Sequence, residues 1–241
     1  MNSDKLSLTN IEKTLGSKKI LSDVSFSIGS NEIVGLLGPN GAGKTTAFYI
    51  AAGLISPNQG RVFINNKDVT ETPMHSRANL GLAYLPQEAS IFPDLSVESN
   101  LLGIAELSNE DKDQTIEKVT KIVNEFDFKK ILQMKGRMLS GGQRRKVEIA
   151  RTLICEPSIM LLDEPFAGID PIAVEEIKDL LHEICMKNIS ILITDHNVRE
   201  TLSLCKKAII LSEGSIIAEG NEISLKENAH VRQKYFGKMF S

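Results

Sequence analysis

The chain has 241 residues, of which 41% are hydrophobic and 24% charged, and its formal net charge is −3. A chain of this length can bury a large core as one domain, and its scattered basic residues argue against a nucleic-acid partner. Cys155, Cys185 and Cys205 stand far apart among apolar neighbours, which predicts free thiols in a reducing compartment. These features indicate a globular intracellular protein without disulfides.

Neither a signal peptide nor a membrane span is predicted. Residues 1–8 contain no apolar stretch of the kind that marks a secretory signal. The longest apolar runs are about five residues, whereas a helix that crosses a bilayer needs about twenty. We therefore expect any contact with a membrane to come only through partner proteins.

The first part of the chain alternates strand patterns with glycine and asparagine turns. Apolar residues alternate with polar ones over residues 24–28, which indicates a half-buried strand. Residues 32–37 form a short apolar run typical of a buried parallel strand. Residues 44–52 have a helical pattern that ends at a glycine, and residues 60–70 predict a hairpin with an Asn-Asn turn.

The middle of the chain has a different character, because strand-forming residues become rare. Helical spacing covers residues 97–107, 110–126 and 142–154. We expect a mostly helical insert at about residues 88–156 between two β-rich flanks. The basic run 144–146 on the third of these helices is expected to form a solvated face.

After the insert, the alternation of strands and helices returns. Apolar runs at residues 159–162, 189–194 and 209–211 predict further buried strands. Asp170 followed by Pro171 predicts a helix start, because aspartate caps the first turn and proline suits its first position. This alternation is typical of an α/β fold with a parallel sheet.

A phosphate-binding loop is predicted directly after the apolar strand at residues 32–37. The pattern Gly-x4-Gly-Lys-Thr places successive backbone N–H groups around an anion, ahead of a helix whose dipole favours negative charge. Lys44 is expected to reach the β- and γ-phosphates of a nucleotide, and Thr45 to ligate Mg²⁺. The nucleotide-binding residues predicted here are Gly38, Pro39, Asn40, Gly41, Ala42, Gly43, Lys44, Thr45 and Thr46.

Two adjacent carboxylates follow the apolar strand at residues 159–162. Asp163 and Glu164 are expected at the carboxyl end of that strand, the edge at which open α/β sheets bind ligands. Asp163 is predicted to hold Mg²⁺ through its water shell. Glu164 is predicted to polarise the water that attacks the terminal phosphate, since hydrolysis needs a base opposite the leaving group.

A third motif resembles the signature of ABC ATPases. Leu139-Ser-Gly-Gly-Gln143 opens a helix shortly before the Asp163 strand. Other pieces stand in the order found in that family, namely Gln87 after a strand, Ala167-Gly-Ile-Asp170, and His196 after the strand at 189–194. The chain is therefore identified as a member of the ABC ATPases, in which the fold is a P-loop NTPase (RecA-like) α/β domain.

This resemblance implies one nucleotide-binding domain over residues 1–241. The domain would contain a parallel-sheet core, an antiparallel β layer and the helical signature subdomain at about residues 88–156. It also implies ATP and Mg²⁺ as ligands. It further implies an ATP-driven dimer with a second copy of the chain.

The resemblance assigns further site residues. Ser140, Gly141, Gly142 and Gln143 are expected to close on the γ-phosphate held by the second copy, so that two composite sites form across a two-fold axis. Gln87 is expected to touch the metal or the attacking water. His196 is expected to contact the γ-phosphate.

One position departs from the family pattern. ABC ATPases commonly stack adenine on an aromatic residue shortly before the second strand, and that position falls near Leu15 here. Leu15 can pack apolar surface against the base but forfeits stacking worth about 1 kcal/mol. We expect Leu15 to contact adenine without selecting it strongly.

Three stretches resemble the LptB family, the ATPases of lipopolysaccharide exporters. They are residues 84–92, 163–171 and 192–202, and residues 230–237 are similar to that family's ending. The resemblance implies transmembrane permease partners resembling LptF and LptG. It also implies a cytoplasmic location, peripheral on the inner face of a Gram-negative inner membrane.

Other functions remain open from the sequence. An ATPase of a branched-chain amino-acid importer would share much of the core. A soluble ABC protein acting on DNA or ribosomes would be expected to carry a long coiled coil or a second cassette, which this chain lacks. A nucleotide-sensing scaffold without turnover is disfavoured by Glu164 and His196.

Phe92 is the candidate contact with a membrane partner. It follows the Gln87 loop, which is expected to move when ATP binds, and it precedes Pro93, where the family often has a basic residue. Phe92 is expected either to plug the core of the helical insert or to line a pocket for a short partner helix.

Overall fold

The computed structural model describes residues 4–108 and 111–236. In chain order, the strands are β1 (Leu6–Leu15), β2 (Lys18–Ile28), β3 (Ile33–Leu37), β4 (Gln59–Ile64), β5 (Lys67–Asp68), β6 (Leu82–Leu85), β7 (Ile159–Asp163), β8 (Ser190–Thr194), β9 (Lys207–Ser212) and β10 (Ser215–Gly220). The α-helices are α1 (Lys44–Ala52), α2 (Met74–Ala78), α3 (Val97–Ala105), α4 (Lys112–Glu125), α5 (Gly141–Ile154), α6 (Pro171–Met186), α7 (Val198–Leu204), α8 (Glu222–Glu227) and α9 (Ala229–Val231). Short 3₁₀ turns cover Glu106–Ser108, Phe128–Lys130 and Gly136–Met138, and a π-helical turn covers Arg232–Phe236.

Two sheets organise the molecule. The larger has the order β10-β9-β3-β8-β7-β6, and all its neighbouring strands are parallel except the β9–β10 pair. The smaller has the order β2-β1-β4-β5 and is antiparallel throughout. The predicted parallel core with an antiparallel β layer is therefore confirmed.

The main core lies between the two sheets. Buried side chains of the antiparallel sheet, such as Leu8 and Val62, pack in one cluster with Phe48 of α1 and with Leu161 and Leu192 of the parallel sheet. The opposite face of the parallel sheet packs in a second cluster against α6 and part of α5. Helix α1 thus packs in the core between the two sheets, and β3, which leads into it, has buried residues in the clusters on both faces of the parallel sheet.

Helices α3, α4 and α5 share an apolar cluster of their own, which includes Leu101, Val119 and Val147. The predicted helices of this region agree with the structure to within about two residues. Residue 110, the predicted start of the second helix, lies outside the described residues; α4 begins after Asp111, whose side chain accepts hydrogen bonds from the first turn.

No helix in residues 4–108 and 111–236 is both long enough and apolar enough to cross a bilayer. The three cysteines all lie in this part of the chain and are free thiols, as predicted.

Candidate functional site

The phosphate loop connects the buried strand β3 to helix α1, which begins at Lys44. A Cβ atom at Gly38 would lie 2.0 Å from the carbonyl oxygen of Leu211, so only glycine fits where the loop leaves the sheet. The Ala42 N–H donates to the Pro39 carbonyl at 3.2 Å, which curls the loop on itself. Backbone amides in such a curled loop at a helix start form an anion-binding concavity.

Lys44 points back over this loop. Its Nζ donates to the carbonyl oxygens of Gly38 at 2.8 Å and Pro39 at 3.1 Å. Burial lowers the pKa of Lys44, and the nearby charges of Glu164 and Asp163 oppose that shift. The lysine therefore lies within electrostatic reach of both predicted carboxylates, and Thr45 follows it in the first turn of α1.

Asp163 is the last residue of β7 and is 5% exposed. Its Oδ2 accepts a hydrogen bond of 3.3 Å from the Tyr84 hydroxyl. Burial raises the pKa of the Asp163 carboxyl, whereas the hydrogen bond from Tyr84 acts to lower it. Tyr84 thus stabilises the ionised form of a carboxylate that the fold has desolvated.

Glu164 is held by both of its carboxylate oxygens. Oε2 accepts a hydrogen bond of 2.7 Å from the Gln87 side-chain amide, and Oε1 lies 2.6 Å from Nε2 of His196. The Glu164 backbone has a φ of +47°, a left-handed conformation that is uncommon outside glycine, and its N–H donates to the Thr194 carbonyl at 2.7 Å. Strained backbone of this kind is concentrated at functional sites.

The signature residues form the start of α5. Ser140 and Gln143 make a reciprocal capping box, in which the Ser140 hydroxyl accepts from the Gln143 N–H and the Gln143 side chain accepts from the Ser140 N–H. A Cβ atom at Gly142 would lie 2.5 Å from that of Ala173 on α6, so glycine permits this helix contact. Gly141 also lines a cavity of about 280 Å³ with Gln87 and Glu164.

The available oxygen ligands fit Mg²⁺. No group of three or more His, Cys, Asp or Glu side chains in the described ranges could hold a metal ion. Magnesium bound with a nucleotide commonly uses one or two protein oxygens together with phosphates and water. Asp163, at the edge beside the phosphate loop, and Thr45, at the start of α1, supply hard oxygen atoms suited to that chemistry. Gln87, the third predicted ligand of Mg²⁺, donates a hydrogen bond to the Glu164 carboxylate in the structure.

Leu15 ends β1, and its pairing with Lys18 closes the hairpin to β2. It is 49% exposed. Strand β2 then runs against the phosphate loop, because a Cβ atom at Gly43 would lie 2.6 Å from Cδ2 of Leu21. Leu15 therefore stands on the strand pair that flanks the loop, and its contact with adenine stays a prediction.

A family model described as ABC transporter matches residues 21–167, which include the phosphate loop, the signature and both carboxylates. The chain belongs to the ABC transporter family. Its parallel sheet, its antiparallel sheet and its α3–α5 helices are the parts of an ABC cassette. A solved nucleotide-free ATP-binding cassette from an ABC transporter matches it with a TM-score of 0.87 at 29% identity, over 97% of this chain and 99% of that one.

Relatives that align with this chain over nearly their full length have names more specific than that of the family. The chain is 47% identical to the lipopolysaccharide export system ATP-binding protein LptB of Haemophilus influenzae, over 98% of both chains. It is 43% identical to the LptB of Escherichia coli strain K12, again over 98% of both chains. A probable ABC transporter ATP-binding protein of Azorhizobium caulinodans is 46% identical, over 98% of this chain and 84% of that one.

The prediction that residues 144–146 form a solvated face is wrong at Arg145, because this side chain is only 5% exposed. Its guanidinium donates to the carbonyl oxygens of Pro86, Asp163 and Pro165 at 3.0–3.3 Å. Burial lowers the pKa of Arg145, and the facing carboxylate of Glu148, 3.1 Å away, acts in the opposite direction. Arg145 joins the signature helix to the backbone on either side of Glu164, at Asp163 and Pro165.

Glu148 extends this network to the Gln87 loop. Its Oε1 accepts hydrogen bonds from the backbone N–H groups of Ser90 at 2.8 Å and Ile91 at 3.3 Å. Arg151, three residues after Glu148 on α5, donates a hydrogen bond to the Ser90 carbonyl. Residues 145, 148 and 151 lie on one face of α5, and that spacing is the sequence signal that could have indicated a shared role.

Phe92 is 51% exposed, so the expectation that it plugs the core of the helical insert is wrong. The Arg151 guanidinium carbon lies 5.0 Å from the centre of its ring, within cation–π range. Arg151 also lines a largely apolar groove of about 280 Å³ between the Gln87 loop and the helices. Other residues along this groove are Tyr84, Pro86, Ser90, Ile104, Thr152 and Cys155.

Proposed function

We propose that the chain is the ATP-hydrolysing motor subunit of a lipopolysaccharide exporter. The observation that carries the catalytic part is the Glu164 carboxylate, held between Gln87 and His196 next to a phosphate loop. The relatives named LptB, at 47% and 43% identity over nearly full length, support the transport assignment. Residues 88–156 act as one subdomain, supported by the separate apolar cluster of α3–α5.

Nucleotide binding begins at the phosphate loop. The backbone N–H groups of residues 38–46 surround the phosphates, and Lys44 exchanges its two carbonyl acceptors for phosphate oxygens. The burial of Lys44 strengthens that electrostatic contact. Leu15 covers one face of the adenine with apolar surface.

Hydrolysis uses Glu164 as the base. One carboxylate oxygen of Glu164 accepts the proton of the attacking water, while Gln87 and His196 orient the side chain and contact the water and the γ-phosphate. Asp163, Thr45 and Gln87 would hold Mg²⁺, which would supply charge neutralisation for the transferred phosphoryl group. Tyr84 favours the ionised form of Asp163 by donating a hydrogen bond to it.

Two copies of the chain complete each site. Ser140, Gly141, Gly142 and Gln143 of one copy close on the γ-phosphate bound by the other. The capped N-terminus of α5 supports this role, because its backbone amides and dipole favour an anion. Closure of the two copies is thereby tied to bound ATP.

Transmembrane permease subunits resembling LptF and LptG receive this motion, which places the protein at the cytoplasmic face of the inner membrane. The groove lined by Arg151, with the exposed Phe92 beside it, is the docking position for a short permease helix. The Arg145–Glu148 network links that groove to Asp163 and the signature helix. Nucleotide-driven changes at Gln87 can therefore reach the groove through packed residues.

Reconstitution tests this assignment. The chain is co-expressed with candidate permease subunits, and the complex is placed in proteoliposomes that contain lipopolysaccharide. MgATP is then added, and the release of lipopolysaccharide from the proteoliposomes is measured. We expect release with the wild-type chain and none with Glu164→Gln. Uptake of branched-chain amino acids instead, with no release of lipopolysaccharide, would contradict the assignment and favour an importer.

A further inference from the structure

Thr194 occupies a distinctive position in the parallel sheet. Strand β8, which it ends, lies between β3, which leads into the phosphate loop, and β7, which ends at Asp163. Thr194 and Asp163 are paired partners in the β7–β8 register. The sheet therefore sets the Thr194 side chain between the phosphate loop and the carboxylate proposed to hold the metal.

Alternation along both strands gives the direction of these side chains. Leu192 packs in the cluster that contains α1, whereas Ile191 and Ile193 pack in the cluster on the opposite face. Thr194 is two residues after Leu192 and so shares its face. Asp163 likewise shares the face of Leu161, which packs in the α1 cluster.

The Thr194 hydroxyl has no hydrogen-bond partner among the described residues, although Thr194 is only 2% exposed. Buried hydroxyls nearly always have one, because leaving them unpaired is unfavourable. The other buried threonines of this part of the chain follow that rule, since Thr115 donates to the Asp111 carbonyl and Thr201 to the Asn197 carbonyl. Packing alone would be better served at position 194 by valine, which has the same shape.

We propose that the Thr194 hydroxyl hydrogen-bonds a water molecule in the hydration shell of the Mg²⁺ that binds with ATP. This inference rests on the proposed ATPase function and adds a residue outside the phosphate loop and the Asp-Glu pair. Magnesium keeps several waters when it binds at such sites, and each water needs hydrogen-bond partners. The position beside Asp163, on the phosphate-loop face, lets Thr194 fix one of those waters.

The test compares Thr194→Val with Thr194→Ser, which keeps the hydroxyl. A fluorescent ATP analogue reports binding during a Mg²⁺ titration and, separately, in EDTA. We expect Thr194→Val to raise the Mg²⁺ midpoint by about fivefold to tenfold, the effect of losing one hydrogen bond. Binding in EDTA stays unchanged, and Thr194→Ser stays within about twofold of wild type in both conditions.

Thr115→Val is the matched control, because Thr115 is a buried threonine on α4 with a backbone partner. It is expected to leave the Mg²⁺ midpoint unchanged. The melting temperature of ligand-free Thr194→Val should equal or exceed that of wild type, since an unpaired hydroxyl has been removed. A merely structural threonine would change stability without changing the Mg²⁺ midpoint.

An unchanged Mg²⁺ midpoint in Thr194→Val would overturn the inference. So would an equal loss of affinity with and without Mg²⁺, which would place the hydroxyl on the nucleotide itself. Failure of the wild-type chain to bind the ATP analogue would instead contradict the proposed function, so the two failures are distinguishable.

Discussion

Nε2 of His196 lies 2.6 Å from Oε1 of Glu164, within hydrogen-bonding distance. The two residues follow different strands, β7 and β8, and meet because these strands are adjacent and parallel. Since Gln87 holds the other oxygen of the same carboxylate, movement of either the Gln87 loop or the His196 loop changes the position of Glu164. Glu164, the proposed base, is thus connected to both elements that are expected to sense the γ-phosphate.

Tyr84→Phe should shift the pH dependence of metal-assisted nucleotide binding. The hydrogen bond from Tyr84 lowers the pKa of Asp163 against the raising effect of burial. Without it the pKa rises further, so Asp163 becomes protonated at a higher pH and loses Mg²⁺ there. We expect the acid limb of MgATP binding to move toward neutral pH.

This shift is measured by titrating the affinity for a fluorescent ATP analogue with pH, in Mg²⁺ and in EDTA. The profile in EDTA is the control. It should not move, because Asp163 is expected to affect nucleotide binding only through Mg²⁺, which EDTA removes. A superimposable pair of profiles for wild type and Tyr84→Phe in Mg²⁺ would show that Tyr84 does not tune Asp163.

Phe92→Ala should weaken partner binding strongly while sparing the isolated protein. Phe92 is half-exposed, so its removal leaves no cavity in the core. An aromatic anchor at an interface contributes about 2 kcal/mol or more, which corresponds to about thirtyfold in affinity. Co-purification with the permease and basal phosphate release are the two measurements.

Ile91→Ala is the control for this test. Ile91 is the neighbouring residue and is buried in the α3–α5 cluster, so its truncation should cost about 2–5 kcal/mol and lower the melting temperature by several degrees. A Phe92→Ala protein that is destabilised like Ile91→Ala, yet still assembles with the permease, would remove Phe92 from the coupling role.

Ser140→Arg should retain ATP binding and block closure, because a bulky cation replaces a small anion-facing group. Mixing it with Lys44→Ala protein tests the composite sites. In a mixed dimer, one site carries both lesions and the other carries neither, so phosphate release should return although each variant alone is inactive. No recovery on mixing would contradict two independent composite sites.

The leucine at position 15 predicts that the protein discriminates only weakly between adenine and guanine nucleotides. Without an aromatic platform, the dissociation constants for ATP and GTP should differ by less than about tenfold, and Leu15→Tyr should tighten ATP binding modestly through stacking. Equilibrium competition between the two nucleotides measures both effects. A strong preference of the wild-type chain for ATP would show that another residue reads the base.

Local signals explain which parts of the fold could be predicted. Helix α1 spans residues 44–52 as expected, and the hairpin of β4 and β5 turns at Asn65 and Asn66, both with positive φ. Strand β1 gives a weaker signal. Its buried residues are Leu6, Leu8 and Ile11, and the register shift between the last two interrupts the alternation.

The candidate site was predictable where backbone geometry demands particular residue types, as in the phosphate loop and the capped signature helix. Arg145 was not, because its acceptors are main-chain oxygens of Pro86, Asp163 and Pro165, which only the folded chain brings together. Any sequence would present such oxygens, so they leave no pattern. The exposed position of Phe92 likewise depends on tertiary packing, because its contacts Asn100 and Arg151 lie on two different helices.

The base assignment of Glu164 is tested most directly by phosphate release from MgATP with Glu164→Gln. The amide keeps the shape of the side chain but cannot accept the proton, so turnover should fall at least about a hundredfold while MgATP affinity is retained. The retained nucleotide should also hold the protein as a stable dimer on gel filtration. Near-normal phosphate release from the variant would contradict the role of Glu164 as the catalytic base.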